Sequence, residues 1–179
     1  DFSPDLYIGR LPARTADEVT TMVSKIVNYE NADAAQDWAK QAIFVADDEP
    51  QFEDMDESVI QYLPVGYQVS RIYLNSYGAP ANCRTGIISG INNGAMLTHY
   101  SGHGAFDLWS GESILQTSDL SSLTNGVRLP LVITPTCDNG YFLYPMDYGM
   151  ESLAEELVRK GDGGAIACFS PSGLSEPPA

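Results

Sequence analysis

The stretch "LTHYSGHGAFDLWSG", residues 97–111, decides the fold of this chain. It begins as an apolar run with the length of a buried strand, and it then changes to a single histidine, His103, between two glycines. Glycine has no side chain, so Gly102 and Gly104 allow the backbone to approach another group closely. A histidine in this setting, at the end of a strand, predicts a chemical role for its imidazole.

Short apolar strands and amphipathic helices alternate on both sides of this stretch. A helix is predicted over 15–30, where Thr15 and Glu18 form a capping box ahead of apolar residues at helical spacing. The predicted strands are 5–9, 42–47, 67–78, 95–102, 128–136 and 163–170. Further helices are predicted over 82–93 and 148–161, and the acidic residues from 47 to 57 are predicted to form a loop. This alternation is typical of an α/β domain with a mostly parallel sheet.

The composition argues against several classes of partner. The 179 residues suit one domain with a hydrophobic core, and 24 Asp and Glu against 9 Lys and Arg give a net charge of −15. Phosphates require a basic surface, so we expect neither nucleic acid nor an anionic membrane as a partner. The charge suits a secreted protein, a calcium binder or an enzyme with a basic substrate. No apolar run is long enough to cross a bilayer, so no membrane insertion is expected.

The three cysteines, Cys83, Cys137 and Cys168, have the spacing of neither a disulfide framework nor a zinc site. Cys168 lies inside an apolar run and is predicted to be a small buried residue. Cys83 is predicted to be a loop thiol. Cys137 differs from both, because it follows directly after a predicted strand.

His103 and Cys137 follow two consecutive strands and lie 34 residues apart. Crossover connections place such strands side by side, and the carboxyl ends of parallel strands form the usual site edge of a sheet. A thiol beside an imidazole is the minimum apparatus of a cysteine hydrolase. The backbone N–H groups of Gly104 and Cys137 are then candidate donors to the oxyanion of the tetrahedral intermediate. His99 lies inside the strand and is predicted to be packed or hydrogen-bonded in the core.

Four segments resemble the gingipain family of cysteine peptidases in the caspase-like clan. They are "GRLP" after the first predicted strand, "LTHYSGHGAFDLW", "LTNGVRLPLVITPTCDNGYF" and "SLAEELVRKGDGGAIACFSPSGLS". The resemblance implies a caspase/gingipain-like three-layer α/β/α sandwich with a mostly parallel sheet, formed by one peptidase domain over 1–179 that is truncated at one or both ends. It also implies roles for His103 as general base and acid, Cys137 as nucleophile and Gly104 as an oxyanion donor.

The same resemblance implies further site residues. A carboxylate that orients the histidine is expected in "IFVADDEPQF", with Asp48 as the first candidate and Asp47 and Glu49 as alternatives. Asp54 or Asp56 is expected to be the acid of a pocket for a cationic substrate residue. No cofactor is required, but the acids between 47 and 57 could hold a structural calcium ion without EF-hand spacing.

Trp109 is a substrate-binding candidate with two alternatives left open, a pocket wall or simple packing.

The sequence is compatible with three functions. The first is a secreted or cell-surface cysteine endopeptidase that forms a thioester with a protein or peptide substrate and associates with further segments of its own precursor. The second is a sortase-like transpeptidase of the same family, which uses the same apparatus. The third is a catalytically inactive binding module. A flavodoxin-like ligand module is disfavoured, because the loop "VADDEP" carries the wrong charge for a phosphate.

Overall fold

The computed structural model describes residues 6, 8–32, 36–143 and 151–175. At its centre is a five-stranded parallel sheet. Its strands are β1 (Gln41–Ala46), β2 (Gln68–Tyr73), β3 (Leu97–Ser101), β7 (Leu131–Ile133) and β8 (Ala167–Phe169), and they lie in the order β2-β1-β3-β7-β8. The strands that precede the two candidate catalytic residues, β3 and β7, are paired in parallel, as the crossover argument predicts.

Helices cover both faces of this sheet, so the three-layer arrangement and the mostly parallel sheet are confirmed. The helices are α1 (Ala16–Glu30), α2 (Pro50–Ile60), α3 (Leu74–Tyr77), α4 (Pro80–Asn93) and α5 (Leu153–Arg159). Alternate residues of β1 face opposite ways: Ile43 and Val45 pack with α4 and α5, whereas Phe44 packs with Phe52 of α2.

Helix α1 begins at the predicted capping box of Thr15 and Glu18 and is fixed to α5 by a buried lysine. The Lys25 ammonium donates to the carbonyls of Val158 at 2.9 Å and Lys160 at 2.8 Å, and so satisfies acceptors left free at the end of α5. Burial lowers the pKa of Lys25 to about 8. One ammonium thus joins two helices that are far apart in sequence.

Helix α2 corrects the prediction of a loop over the acidic residues. Pro50 occupies the first turn, where its missing N–H costs nothing, and acidic side chains there suit the helix dipole. Phe52 and Met55 follow at helical spacing and pack with Ile60 against the sheet. The charge of the segment hides this apolar face in the sequence.

The connection from β3 to β7 is long enough for a crossover helix, but it has a different structure. It contains a small antiparallel sheet of β4 (Gly104–Ala105), β5 (Leu108–Trp109) and β6 (Leu115–Gln116), followed by a 3-10 helix over Thr117–Ser122. The strand predicted over 5–9 is wrong where it is described, because residues 6, 8 and 9 belong to no strand, while residues 5 and 7 lie outside the described residues. The first three residues of the helix predicted over 148–161 also lie outside them. Within the part of the chain that the structure describes, no helix is both long and apolar enough to span a membrane.

Candidate active site

The loop after β3 is held by a buried carboxylate. Asp47, which directly follows β1, is 1% exposed; its carboxylate accepts from the His103 backbone N–H at 3.1 Å and from the Ser110 hydroxyl at 2.8 Å. The Tyr100 hydroxyl donates to the His103 carbonyl at 2.5 Å, and burial raises the pKa of Tyr100, so this donor keeps its proton. The backbone around His103 is therefore fixed while its ring is left outside the core.

The imidazole of His103 projects from this fixed loop, with 66% of the side chain exposed. Its Nε2 lies 3.1 Å from Glu49 Oε1, and the imidazole makes a T-shaped contact with the Phe52 ring at 5.3 Å between ring centroids. A carboxylate only accepts hydrogen bonds, so this contact places the neutral ring's proton on Nε2 and leaves Nδ1 with a free lone pair. The geometry is that of an oriented base.

Glu49, rather than Asp48, reaches the histidine ring. Asp48 is exposed, and partial desolvation together with the negative charges of Glu49 and Glu112 raises the pKa of its carboxyl. Asp47 supports the His103 backbone instead of the ring. Of the three neighbouring acids, Glu49 therefore contacts the imidazole, although Asp48 was the first candidate from the sequence.

The two glycines beside His103 are required by close packing. A Cβ on Gly102 would lie 2.7 Å from Cβ of Asp47, and a Cβ on Gly104 would lie 2.6 Å from Oγ1 of Thr136, closer than side chains pack. Thr136 in turn donates to the Gly102 carbonyl at 2.7 Å. Gly104 therefore lets the histidine loop contact the residue that immediately precedes Cys137, and Gly102 lets the loop pack on Asp47.

The loop that carries Cys137 is tied to the histidine loop a second time through Asn139. This buried amide accepts from Nε1 of Trp109 at 2.8 Å and donates to the carbonyl of Ala105 at 2.8 Å. Asp138, next to the cysteine, has a φ of 57°, a strained backbone of the kind found at functional turns. Thr136 and Asn139 were not predicted as site residues, although both lie within two residues of Cys137.

The half-buried Cys137 thiol lies against the segment after β8. Its Sγ is 3.5 Å from both the N–H and the carbonyl oxygen of Ser175. The other two thiols are unsuited to nucleophilic chemistry, since burial raises the pKa of Cys83 to about 11 and that of Cys168 to about 12. Cys168 packs against the core but is only half-buried, so it is less buried than predicted. Cys83 is wholly buried in α4, so its prediction as a loop thiol was wrong.

Two of the three predicted substrate-binding residues are inaccessible. Trp109 is 0% exposed and stacks on Tyr100 at 4.7 Å between ring centroids, which favours packing over a pocket wall. Asp56 is also 0% exposed, and its Oδ1 accepts from Nδ1 of His99 at 2.8 Å. A substrate side chain cannot reach that carboxylate, which corrects its assignment to a pocket, and His99 is the hydrogen-bonded core residue that was predicted. Asp54 alone is exposed, on α2.

A cation could use the carboxylates that follow β1. One oxygen each from Asp47, Asp48 and Glu49 lies within 4.8 Å of the others, which suits a hard cation such as calcium. Asp47 and Glu49, however, already hold the backbone and the ring of His103. These carboxylates therefore fit a calcium ion only in part. A bound ion would compete with the His103 loop for Asp47 and Glu49, two of the three carboxylates.

A cleft of 640 Å³ lies beside the loop that carries Cys137. It runs between the N-terminal segment and α5 along β8, and Gly140 and Ser170 line it, but His103 and Cys137 do not. The predicted catalytic residues therefore lie at the carboxyl edge of the sheet rather than in this cleft.

Comparison with known proteins gives the family. The sequence profile of Peptidase family C25 matches residues 1–178. Gingipain R2 of Porphyromonas gingivalis is 29% identical over 167 residues, which are 89% of this chain and 22% of that protein. Lys-gingipain HG66 of the same organism is 26% identical over 175 residues, 96% of this chain and 10% of that protein. The chain thus spans no more than about a fifth of the length of these relatives.

Solved structures of gingipains have the same fold. The crystal structure of the Arg specific cysteine proteinase gingipain R has a TM-score of 0.77 at 27% identity, over 94% of this chain and 40% of that one. A complex of pro- and mature domains from Porphyromonas gingivalis gives 0.76 at 26% identity, over 96% of this chain and 42% of that one. The gingipain-like fold implied by the motifs is confirmed, and with the profile matched along nearly its whole length this chain belongs to peptidase family C25, the family of the gingipain cysteine peptidases.

Proposed function

We propose that this chain carries the catalytic apparatus of a cysteine endopeptidase. The observation that carries the proposal is a hydrogen bond between the His103 loop and the Cys137 loop at the carboxyl edge of the sheet. The hydroxyl of Thr136, the residue before Cys137, donates to the carbonyl of Gly102, the residue before His103. Membership of a cysteine peptidase family supports the same conclusion. Cys137 is the nucleophile, and His103 is the general base and acid.

In the first half of the reaction, the Cys137 thiol passes its proton to Nδ1 of His103, and the thiolate attacks the carbonyl carbon of the scissile peptide bond. The C–N bond then breaks, and the leaving amine takes the proton from His103. This step leaves a thioester between Cys137 and the acyl part of the substrate. Water attacks the thioester with His103 again as base, which releases the acid and restores the thiol.

Glu49 fixes the tautomer that this sequence of proton transfers needs. Its carboxylate accepts from Nε2, so the lone pair of the neutral ring stays on Nδ1. We assign the orienting role to Glu49 in place of Asp48, whose carboxylate is exposed. The carboxylate also stabilises the imidazolium that forms when the thiol loses its proton.

Gly104 has a backbone N–H that the β4–β5 hairpin does not use. Gly104 lies opposite Trp109, and the Ser110 N–H donates to the His103 carbonyl, the pattern that flanks a non-hydrogen-bonded pair. The Gly104 N–H therefore points away from β5. It is the proposed oxyanion donor, together with the N–H of Cys137.

The substrate is proposed to be a protein or peptide with Arg or Lys before the scissile bond. One solved relative is named as an Arg specific cysteine proteinase, and another relative is named Lys-gingipain. The negative edge around Asp48, Glu49 and Glu112, with Asp54 on α2, suits a cationic side chain. Precursor segments are proposed as partners, since one solved relative is a complex of pro- and mature domains. A secreted or cell-surface location, a calcium ion with a structural role, and the extent of the domain as a single unit stay proposals.

The test measures hydrolysis of peptides with Arg, Lys, Asp or Ala before the scissile bond, with and without an added amine. We expect hydrolysis after Arg or Lys, lost in Cys137→Ala and kept in the control Cys168→Ala. Transfer of the acyl group to the amine in preference to water would instead identify a transpeptidase. No reaction with any peptide would favour the inactive binding module.

A further inference from the structure

Helix α2 touches the His103 loop and is also bonded to the strand that carries it. Glu49, the N-cap residue, and Phe52, in the first turn, contact the His103 ring. One turn after Phe52 on the same face, Asp56 accepts a hydrogen bond from Ser101, the last residue of β3, at 2.7 Å. The same helix therefore supports the imidazole and is fixed to the strand two residues before it.

The connection between α2 and β3 is a sealed polar network. Asp56 Oδ1 accepts from Nδ1 of His99 and from Oγ of Ser101. Asp56 and Ser101 are 0% exposed and His99 is 6% exposed, and the Phe44 ring lies 5.4 Å from the imidazole of His99. Serine, histidine and aspartate are also the residue types of a hydrolase triad, but no substrate atom can reach this network. Its role must be exerted through other residues.

The network does not optimise stability. Oδ2 of Asp56 is buried without a partner among the described residues, and burial raises the pKa of this carboxyl. A buried polar group without a partner destabilises the fold, and apolar replacements of buried polar networks are often neutral or stabilising. Hydrogen bonds do, however, fix the direction and spacing of the groups they join.

We propose that Asp56 is a positioning residue of the peptidase reaction: its hydrogen bonds to His99 and Ser101 fix α2 on β3, so that Glu49 and Phe52 hold the His103 ring in register. This inference rests on the proposed function, in which His103 is the base. It assigns to Asp56 a role in the geometry of the site, in place of the substrate contact that burial excludes.

The test compares Asp56→Ala with Ile60→Ala, a matched control one turn further along the same face of α2. Ile60 packs against the apolar cluster that contains Phe52 and Phe44, so its truncation also loosens the packing of α2 on the sheet. We expect Asp56→Ala to lower kcat by about 10-fold or more with KM within about 2-fold, because small displacements of reacting groups cost rate. Ile60→Ala should keep kcat within about 2-fold. Equal losses of kcat in the two variants would overturn the proposal.

A spectroscopic measurement separates this inference from the proposed function. The chain has only two histidines, so imidazole nitrogen-15 spectra contain two ring systems, which His99→Gln distinguishes. In the wild type we expect one His103 tautomer, with the proton on Nε2, and in Asp56→Ala a mixture of both. An unchanged tautomer in Asp56→Ala contradicts the positioning role, even if the wild type hydrolyses no peptide and the proposed function fails. If Asp56→Ala does not fold, the isosteric Asp56→Asn and the milder Ser101→Ala undergo the same comparison.

Discussion

His99 and His103 are four residues apart, yet the structure places them in opposite environments. His99 points from β3 into the core, where Asp56 accepts from its ring and only 6% of the residue is exposed. His103 follows the strand, and its ring is largely exposed against Glu49. Both rings have a carboxylate partner, so pairing alone does not identify a catalytic histidine. The difference lies in access, which the end of the strand provides.

The largest expected effect is the difference between removing the exposed imidazole of His103 and removing the buried imidazole of His99. His103→Ala should lower kcat/KM by about 10²- to 10⁴-fold, the usual contribution of a general base, with little change in unfolding free energy. His99→Ala should instead destabilise the fold by about 3 kcal/mol, because it leaves the buried Asp56 without its ring donor, and it should cost less activity. Peptide hydrolysis and urea unfolding measure the two effects. Identical profiles for the two variants would break the comparison.

The next effect concerns the carboxylate beside the exposed ring. Glu49→Gln should lower kcat by about 10²-fold, because the glutamine amide can donate to Nε2 and so favours the tautomer in which Nδ1 carries the proton. Asp48→Asn is the control, and its kcat should stay within about 3-fold of wild type, since that carboxylate is exposed. Steady-state kinetics on one peptide substrate decides the assignment. A larger loss in Asp48→Asn than in Glu49→Gln would return the orienting role to Asp48.

Gly104→Ala tests the contact between the two loops that makes the His103 environment possible. The added Cβ meets Oγ1 of Thr136 at 2.6 Å, so we expect a loss of about 1–3 kcal/mol in stability and of about 10-fold in kcat. Gly111→Ala, where nothing lies within 4 Å of the new Cβ, should change stability by no more than about 0.5 kcal/mol. Thermal unfolding and kinetics are measured together. Equal tolerance of both alanines would show that the close approach is not needed.

The smallest expected effect is a change in the pH dependence of folding stability, caused by the buried carboxyl of Asp56. Because burial raises the pKa of Asp56, the folded state binds more protons than the unfolded state above the ordinary pKa of an aspartate. This contribution therefore stabilises at low pH and is lost as pH rises through the folded pKa. Asp56→Asn lacks it, so the stability of the variant relative to wild type should increase as the pH rises above about 4, the ordinary pKa of an aspartate. Urea unfolding at several pH values tests the slope, and an opposite slope would mean that the ionised carboxylate is favoured in the core.

The sequence predicted the parts of the fold that depend on local patterns. The capping box of α1, the parallel neighbours β3 and β7 and the strand-end positions of His103 and Cys137 all follow from apolar periodicity and chain order. Helix α2 was missed because its many acids outweighed the spacing of Phe52, Met55 and Ile60, which was present in the sequence.

Side-chain partners were predicted less well than backbone elements. Asp47, Asp48 and Glu49 are consecutive, and only the turn into α2 decides which of them faces the core, the solvent or the His103 ring. A substrate contact was one of two alternatives for Trp109, and Asp56 was an alternative to Asp54 as the pocket acid, because aromatic and acidic residues close to a site in sequence resemble pocket residues. Their burial depends on tertiary packing against Tyr100 and β3, which local pattern does not encode.

The most direct test of the account is a reaction with a peptidyl acyloxymethyl ketone carrying Arg at its terminal residue, followed by peptide mapping by mass spectrometry. The account predicts one adduct on Cys137, none on Cys83 or Cys168, and a much slower reaction in His103→Ala but not in His99→Gln. An adduct that persists in Cys137→Ala, or labelling that depends on His99 rather than His103, would contradict it.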